Sequence, residues 1–356
     1  MPAITLAIGE SPILISARSP RLIRVFADYF RYYHPRQISS TNALQLLADN
    51  PQIVSVELRM RDELPPREVL IPPTAELFSQ TGVLSMWNER REDQKKSEIH
   101  NPQAALTKDR YYFHVEVAAF RVDVDAGKVV GLVTPEAMRY PHILANTYAL
   151  FALLLMLRTR RLYHLHAAAI VSPNDELWLV CGAQRAGKTT LTTALGLAGW
   201  QPVSDDSLLV GRDGNSAFLM PLKKYFHVSD ELFSHWPQLN DITRHHQYLH
   251  RTCVSGLEFF DATELADFRF RKIDHIVLPQ IVQEPASRLE PLSRSEALLR
   301  LAEQSMFFQL WRDHTANQWH SLNELAANAR CHRLFSAADI LAAPNRAAEV
   351  LSQATT

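Results

Sequence analysis

The sequence predicts an α/β protein: a P-loop core built on a mixed sheet with flanking helices, preceded by a small N-terminal α/β domain. Three observations carry this. The apolar run Leu177-Trp178-Leu179-Val180-Cys181 reads as a buried strand. It leads directly into Gly182-Ala183-Gln184-Arg185-Ala186-Gly187-Lys188-Thr189, a complete phosphate-binding loop, and then into Leu191, Ala194, Leu195 and Ala198 at helical spacing. Strand-like and helix-like segments alternate on both sides of that unit.

Taken in order, residues 1–88 contain strand-like segments at Ile4 to Ile8 and Ile53 to Leu58 and a helical segment from Pro20 to Tyr33, with no catalytic constellation. Trp87 to Asn101 is polar and densely charged, which places a linker over 89–104 and assigns 105–356 to one larger domain. Tyr111 to Val124, the turn Asp125-Ala126-Gly127 and Lys128 to Val133 read as a hairpin. The apolar stretch Ile143 to Leu157 includes Asn146, Thr147 and Tyr148 and falls short of the roughly 20 apolar residues of a bilayer span, so a buried helix is expected. Next come a strand over Leu165 to Val171, the turn Ser172-Pro173-Asn174-Asp175, the strand and loop above, and a helix from Thr190 capped by Gly199. Leu208 to Val210 and Ile273 to Leu278 read as strands. Ser295 to Phe308 and a last segment ending at Ser352 read as helices.

Composition narrows the function classes. The chain has 356 residues, 47% hydrophobic and 21% charged, as soluble globular proteins do. A net charge of -1 gives no electrostatic case for a nucleic-acid or acidic-membrane partner. Cys181, Cys253 and Cys331 lie far apart and suggest neither a disulfide framework nor a zinc site, which suits a reducing cytoplasm. Met1 to Leu14 lack a basic segment followed by a long apolar one, so no signal peptide is expected.

The chemistry follows from the loop. Its glycines let successive backbone N–H groups face a phosphate, Lys188 reaches the outer phosphate oxygens, the Thr189 hydroxyl is placed to ligate Mg²⁺, and the helix from Thr190 adds its positive end. Asp205-Asp206 follows 17 residues after Lys188. Phosphoryl transfer needs a metal and a group that orients or deprotonates the nucleophile, and the pair can supply both: on extended chain, adjacent carboxylates point to opposite sides and take different jobs. The competing account is a turn, Ser204-Asp205-Asp206-Ser207, that only satisfies local backbone groups. His166 lies 22 residues before Lys188. In a hairpin with the strand before the loop it reaches the loop's side and can bond a phosphate or an aspartate; the alternative is a satisfied core histidine. His164 shares its face at strand spacing, but no third metal ligand is visible. Lys223, Lys224 and the cluster Arg244-His245-His246, His250 and Arg251 are secondary candidates, as substrate contacts or as solvated surface.

The run from His164 to Val210 resembles the catalytic core of the HPr serine kinase/phosphorylase family and of the wider group of HPr-kinase-related proteins. The family's His-containing strand, hairpin, P-loop, single short helix and Asp pair occur here at the same spacing. The chain departs from it in Gln184-Arg185 within the loop, and it lacks the family's glycine-rich signature around Glu258. The resemblance implies a phosphoenolpyruvate-carboxykinase-like P-loop kinase core and a Mg·ATP-dependent kinase acting on a hydroxyl, with ATP on Gly182 to Thr190. Lys188 would bind the phosphates, Thr189 and Asp206 the metal; Asp205 would be the base and His166 a further site residue. The acceptor would be a hydroxyl-bearing protein, peptide or small molecule, and the chain, like many relatives, a homo-oligomer. Phosphorolysis of a phosphoserine-type product and a non-catalytic ATP-binding sensor are the alternatives.

Overall fold

A computed structural model describes residues 1–81, 84–89, 109–222, 225–242, 244–248, 251–254 and 269–354. The chain divides into two compact units, Met1–Arg160 and Arg161–Thr356. It is α/β, with helices set against mixed sheets.

Unit 1 contains β1 (Ala3–Ile8), β2 (Ser11–Ala17), α1 (Pro20–Tyr29), β3 (Arg36–Ile38), α2 (Ser40–Asp49), β4 (Val54–Met60), β5 (Glu76–Thr81), β6 (Leu84–Glu89), β7 (Arg110–Val115), β8 (Ala118–Asp123), β9 (Lys128–Val133) and α3 (Pro141–Thr159). Its strands form one sheet in the order β3-β1-β2-β4-β9-β8-β7-β6-β5. Only β2–β4 and β4–β9 pair in parallel; the other neighbours are antiparallel. In α1, Pro20 suits the first turn, and Leu22, Ile23, Phe26 and Tyr29 form the buried stripe that docks on the sheet. Gly131 faces Phe120 across the β8–β9 pair, and a Cβ there would stand 2.7 Å from the phenyl ring. The missing side chain is the room the ring occupies.

The domain boundary differs from the one expected at 89–104. Residues 90–108 lie outside the described residues, but β7, β8 and β9 hydrogen-bond to β6 and β4, so residues 110–160 belong with the N-terminal unit. Long-range pairing decided this, and a local run of charge does not report it. The expected strand over Tyr111 to Val124 is itself a hairpin, β7–β8, turning at Glu116-Val117 with neither Gly, Asn nor Pro to mark it. Among the described residues, α3 is the one helix long and apolar enough to cross a membrane, and 61% of it is buried inside the protein. It packs on α1 and β8, and its polar Asn146 accepts a hydrogen bond from the Tyr29 hydroxyl at 2.7 Å.

Unit 2 contains β10 (Tyr163–Leu165), β11 (Ala167–Val171), β12 (Leu177–Cys181), α4 (Lys188–Leu197), β13 (Gln201–Ser204), β14 (Leu208–Asp213), β15 (Ser216–Pro221), β16 (Phe226–Ser229), α5 (Asp230–His235), β17 (Arg244–Tyr248), β18 (Arg251–Val254), β19 (His275–Ile281), β20 (Arg288–Pro291), α6 (Arg294–Glu303), α7 (Arg312–Leu325), β21 (Arg330–Ser336), α8 (Ala338–Ala342) and α9 (Asn345–Ser352). The central sheet runs β13-β11-β12-β19-β21-β20; β10-β14-β15 and β16-β18-β17 are separate small sheets. In the centre β12 is apolar throughout because both its faces are covered. Trp178 and Val180 pack with Leu191, Ala194 and Leu195 of α4 and Val350 of α9, whereas Leu177, Leu179 and Cys181 pack with Leu301 of α6, Leu322 of α7 and the sheet of β10, β14 and β15. The core of unit 2 is therefore three layers deep.

The segment expected to be one strand from Leu165 breaks at His166. β10 pairs with β14 in the small sheet, and β11 pairs with β12 and β13 in the central one. The chain crosses between the same two sheets again after β13, at Asp205-Asp206-Ser207, and His164 Nε2 meets Ser207 Oγ at 3.0 Å, tying the two crossings together. α4 starts at Lys188, two residues before the expected Thr190. It ends as expected at Gly199, whose φ of +86° is left-handed; Gly199 N–H donates to Gly196 and Trp200 N–H to Leu195, the paired bonds that close a glycine C-cap.

Candidate functional site

Three neighbouring strands bring the sequence candidates together. β11 lies between β12 and β13 and is antiparallel to both, so β12 and β13 run the same way and end on the same edge of the sheet. β12 releases the loop 182–187 there, and β13 releases Asp205-Asp206. Ala167 pairs with Cys181, so His166, just before β11, comes level with the start of the loop, as the hairpin reading expects. Two strand spacings separate the loop's root from the Asp pair, roughly 10 Å. Strand carboxyl ends are where α/β sheets commonly hold ligands.

The loop is shaped by its backbone. Gly187 caps the N-terminus of α4 with φ of +96°, and Arg185 also lies in the left-handed region at +65°. A Cβ on Gly182 would stand 3.0 Å from that of Ala186, so this tight curl favours glycine. Ala183, Gln184 and Arg185 are exposed, while Ala186, Gly187, Thr189 and Thr190 are half-buried at the start of the helix. Lys188 is buried, and its ammonium donates to Gly182 O at 2.7 Å and Ala183 O at 3.1 Å. Burial pulls the Lys188 pKa below the ordinary lysine value; Cys181, Asp206 and Asp205 oppose that shift, and Arg251 of β18 reinforces it. The adjoining Cys181 thiol is pushed up to about 12 by burial, so it offers no nucleophile at neutral pH.

The Asp pair does not sit on extended chain. Ser204 Oγ donates to Ser207 O at 2.7 Å and accepts from Ser207 N–H at 3.0 Å, so the serines close the turn. This corrects two expectations. The turn exists, but its backbone is satisfied by Ser204; and the two carboxylates converge instead of pointing apart. One donor atom each from Asp205, Asp206 and His227 lie within 4.8 Å of one another. At that separation two ionised carboxylates repel by about 3 kcal/mol at an effective dielectric of roughly 20. Asp205 is 1% exposed. Its Oδ2 accepts from the His227 backbone N–H at 2.9 Å and lies 3.7 Å from His227 Nδ1, while its Oδ1 is buried with no hydrogen-bond partner.

His227 is absent from the sequence candidates. It stands on β16, four residues long, and reaches the Asp turn only through tertiary packing, so no spacing in the sequence marks it. His164 stands on β10 and pairs with Ser207, whereas His166 lies in the break between β10 and β11, so the unbroken strand that would have set the two on one face is absent. The His166 backbone N–H donates to Gln304 O at 2.9 Å, just past α6. Arg244 packs over the Phe233 ring at 4.3 Å, which leaves it a structural role. Lys223, Lys224, His250 and Glu258 lie outside the described residues, as do the side chains of His245 and His246.

No family model matches the chain, and no curated protein matches it. Among solved structures, the Hpr(Ser) kinase/phosphatase from Coxiella burnetii aligns at 12% identity over 54% of this chain and 95% of that one, with a TM-score of 0.29. Superposition that loose fixes neither the fold nor the activity, so function has to be argued from the site.

Proposed function

We propose that the chain is a Mg·ATP-dependent kinase, related to the HPr serine kinases, that transfers the γ-phosphoryl group to a hydroxyl of a protein, a peptide or a small metabolite. One observation carries the reading. The P-loop, the Asp205-Asp206 turn and His166 leave three adjacent strands at the same edge, although they come from separate parts of the sequence.

The residues fit the groups they would hold. Glycine at Gly182 and Gly187 permits the tight curl of the loop into the N-terminus of α4, whose positive end would face a phosphate. The unpartnered Asp205 Oδ1 and the crowded carboxylates suit a place where a cation or a proton arrives. Thr189 and Asp206 would hold Mg²⁺, which supplies neutralisation of phosphate charge. Lys188 exchanges the carbonyls of Gly182 and Ala183 for phosphate oxygens, a step that returns a counter-charge to a buried ammonium. Asp205, its Oδ2 fixed by the His227 N–H, accepts the acceptor's proton on Oδ1. His166 orients the reacting groups from the strand between.

The test is Asp205→Asn, which keeps shape and removes the base. Nucleotide affinity should stay within about twofold and radiolabel transfer to acceptors should fall by about 10²–10⁴. Transfer at the wild-type rate would remove Asp205 from this role.

A further inference from the structure

We infer that Asp205, Asp206 and His227 form a site for a divalent transition-metal ion that binds in the absence of nucleotide. Their donor atoms already lie within 4.8 Å of one another. Independently of that cluster, Asp205 is 1% exposed and keeps a buried carboxylate oxygen with no partner, an arrangement that a hydrogen-bonded interior rarely tolerates and that a cation satisfies. The backbone around the pair is closed by Ser204 and Ser207, and the Asp205 carboxylate bonds out of the turn to the His227 N–H. The His227 N–H fixes Asp205 Oδ2, and the same residue's ring stands 3.7 Å from that oxygen. The site is therefore held by β16 as well as by the turn.

The donor set selects the metal. Two carboxylates alone suit Mg²⁺ or Ca²⁺; an imidazole nitrogen added to them shifts preference toward Mn²⁺ and the later divalent ions. The binding does not depend on the kinase reading, but its consequence rests on it. A cation on the Asp205 carboxylate and a proton arriving there are alternatives, so an excess of the transition metal slows transfer while ATP stays bound.

The experiment is a Mn²⁺ titration of the full chain without nucleotide, followed by the loss of the free-ion paramagnetic resonance signal, then repeated against competing Mg²⁺. One saturable site is expected, at least about tenfold tighter for Mn²⁺ than for Mg²⁺. His227→Gln and Asp205→Asn should each weaken Mn²⁺ by at least the roughly 10–100-fold that loss of even an outer-shell partner costs a metal site. Circular dichroism and metal-free melting confirm that both variants fold; a Mn²⁺-dependent rise in wild-type melting temperature should vanish in both. No saturable site, equal affinity for the two ions, or full Mn²⁺ affinity in His227→Gln would overturn the assignment. Saturable, His227-dependent Mn²⁺ binding by a protein that binds no ATP supports this site and sinks the kinase reading; ATP binding without the Mn²⁺ site does the reverse.

Discussion

The two units use strands for opposite ends. In unit 1, antiparallel neighbours joined by short turns place residues close in sequence side by side, and Arg110 of β7 pairs with Asp123 of β8 at 3.3 Å; Glu57 pairs with Arg59, two residues on, at 2.7 Å and with Lys128 across the parallel β4–β9 pair at 3.1 Å. The Arg59 guanidinium in particular holds the Glu57 carboxyl below its usual range. In unit 2, strands separated by the 182–187 loop and a helix bring His166, that loop and the Asp205 turn to one sheet edge, β16 adds His227 beside Asp205, and a buried carboxylate oxygen is left unmatched. Among the described residues, the one three-residue group with metal-ligand geometry lies there. Local pairing satisfies charge, whereas crossover topology can concentrate it.

The largest test of that contrast is Trp178→Ala. Trp178 is fully buried, stacks on His275 with centroids 3.7 Å apart and meets Trp200 edge-on at 5.5 Å. Its loss should destabilise unit 2 by about 3–5 kcal/mol. Denaturant melts read by fluorescence and by proteolysis should show unit 2 opening first, and a single unshifted transition would erase the division. Next, Lys188→Ala removes two charge-assisted bonds from the site, and should cost ATP about 3 kcal/mol, or about a hundredfold in equilibrium binding. Lys128→Ala in unit 1 should leave that binding unchanged.

A third test asks where the units agree. Gly131 in unit 1 and Gly211 in unit 2 each face a phenylalanine across an antiparallel pair, Phe120 and Phe218, and a Cβ would come within 2.7 Å and 2.5 Å of the ring. Alanine at either position should cost about 1–3 kcal/mol by overpacking. A tolerated substitution in one unit alone would show that its strands have freedom the other lacks.

The smallest effect is a slope with pH. Burial lowers the pKa of His332 to about 4 and that of its neighbour His275 as well, with Arg330 pressing on both and Glu176 opposing at His275. The unfolded chain takes up these protons near pH 6.5, before the folded one. Stability from the pair is therefore complete above about 6.5 and is lost as pH falls toward 4, by at most about 1.4 kcal/mol per pH unit for each proton. Melts of His332→Gln between pH 4 and 7 should show a shallower slope than wild type; an unchanged slope removes His332 from the account.

What could be read from the sequence follows how far each signal reaches along the chain. The strand, loop and helix around Lys188 and the cap at Gly199 are local, and they appear as expected except that the helix starts two residues early, at Lys188. His166 beside the loop needed one hairpin, and the register supplies it. His227 and the attachment of β7–β9 to unit 1 depend on pairings between distant segments, which composition and periodicity do not encode. The break at His166 hid for another reason: Tyr163 to Val171 is buried on both sides of it, so the apolar run continues while the hydrogen-bond partners change.

Those two crossings also bear on how the chain can change length. Single insertions within β10 or β14 can slip toward the loops at the far ends of those strands. One extra residue at 166, or within 205–207, would move the His164–Ser207 tie out of step and shift every group downstream of the fold line by a full residue. Chain length at this crease is thus held more tightly than side-chain identity in the sheets on either side, and deletion or insertion scanning should trace it as a narrow intolerant seam.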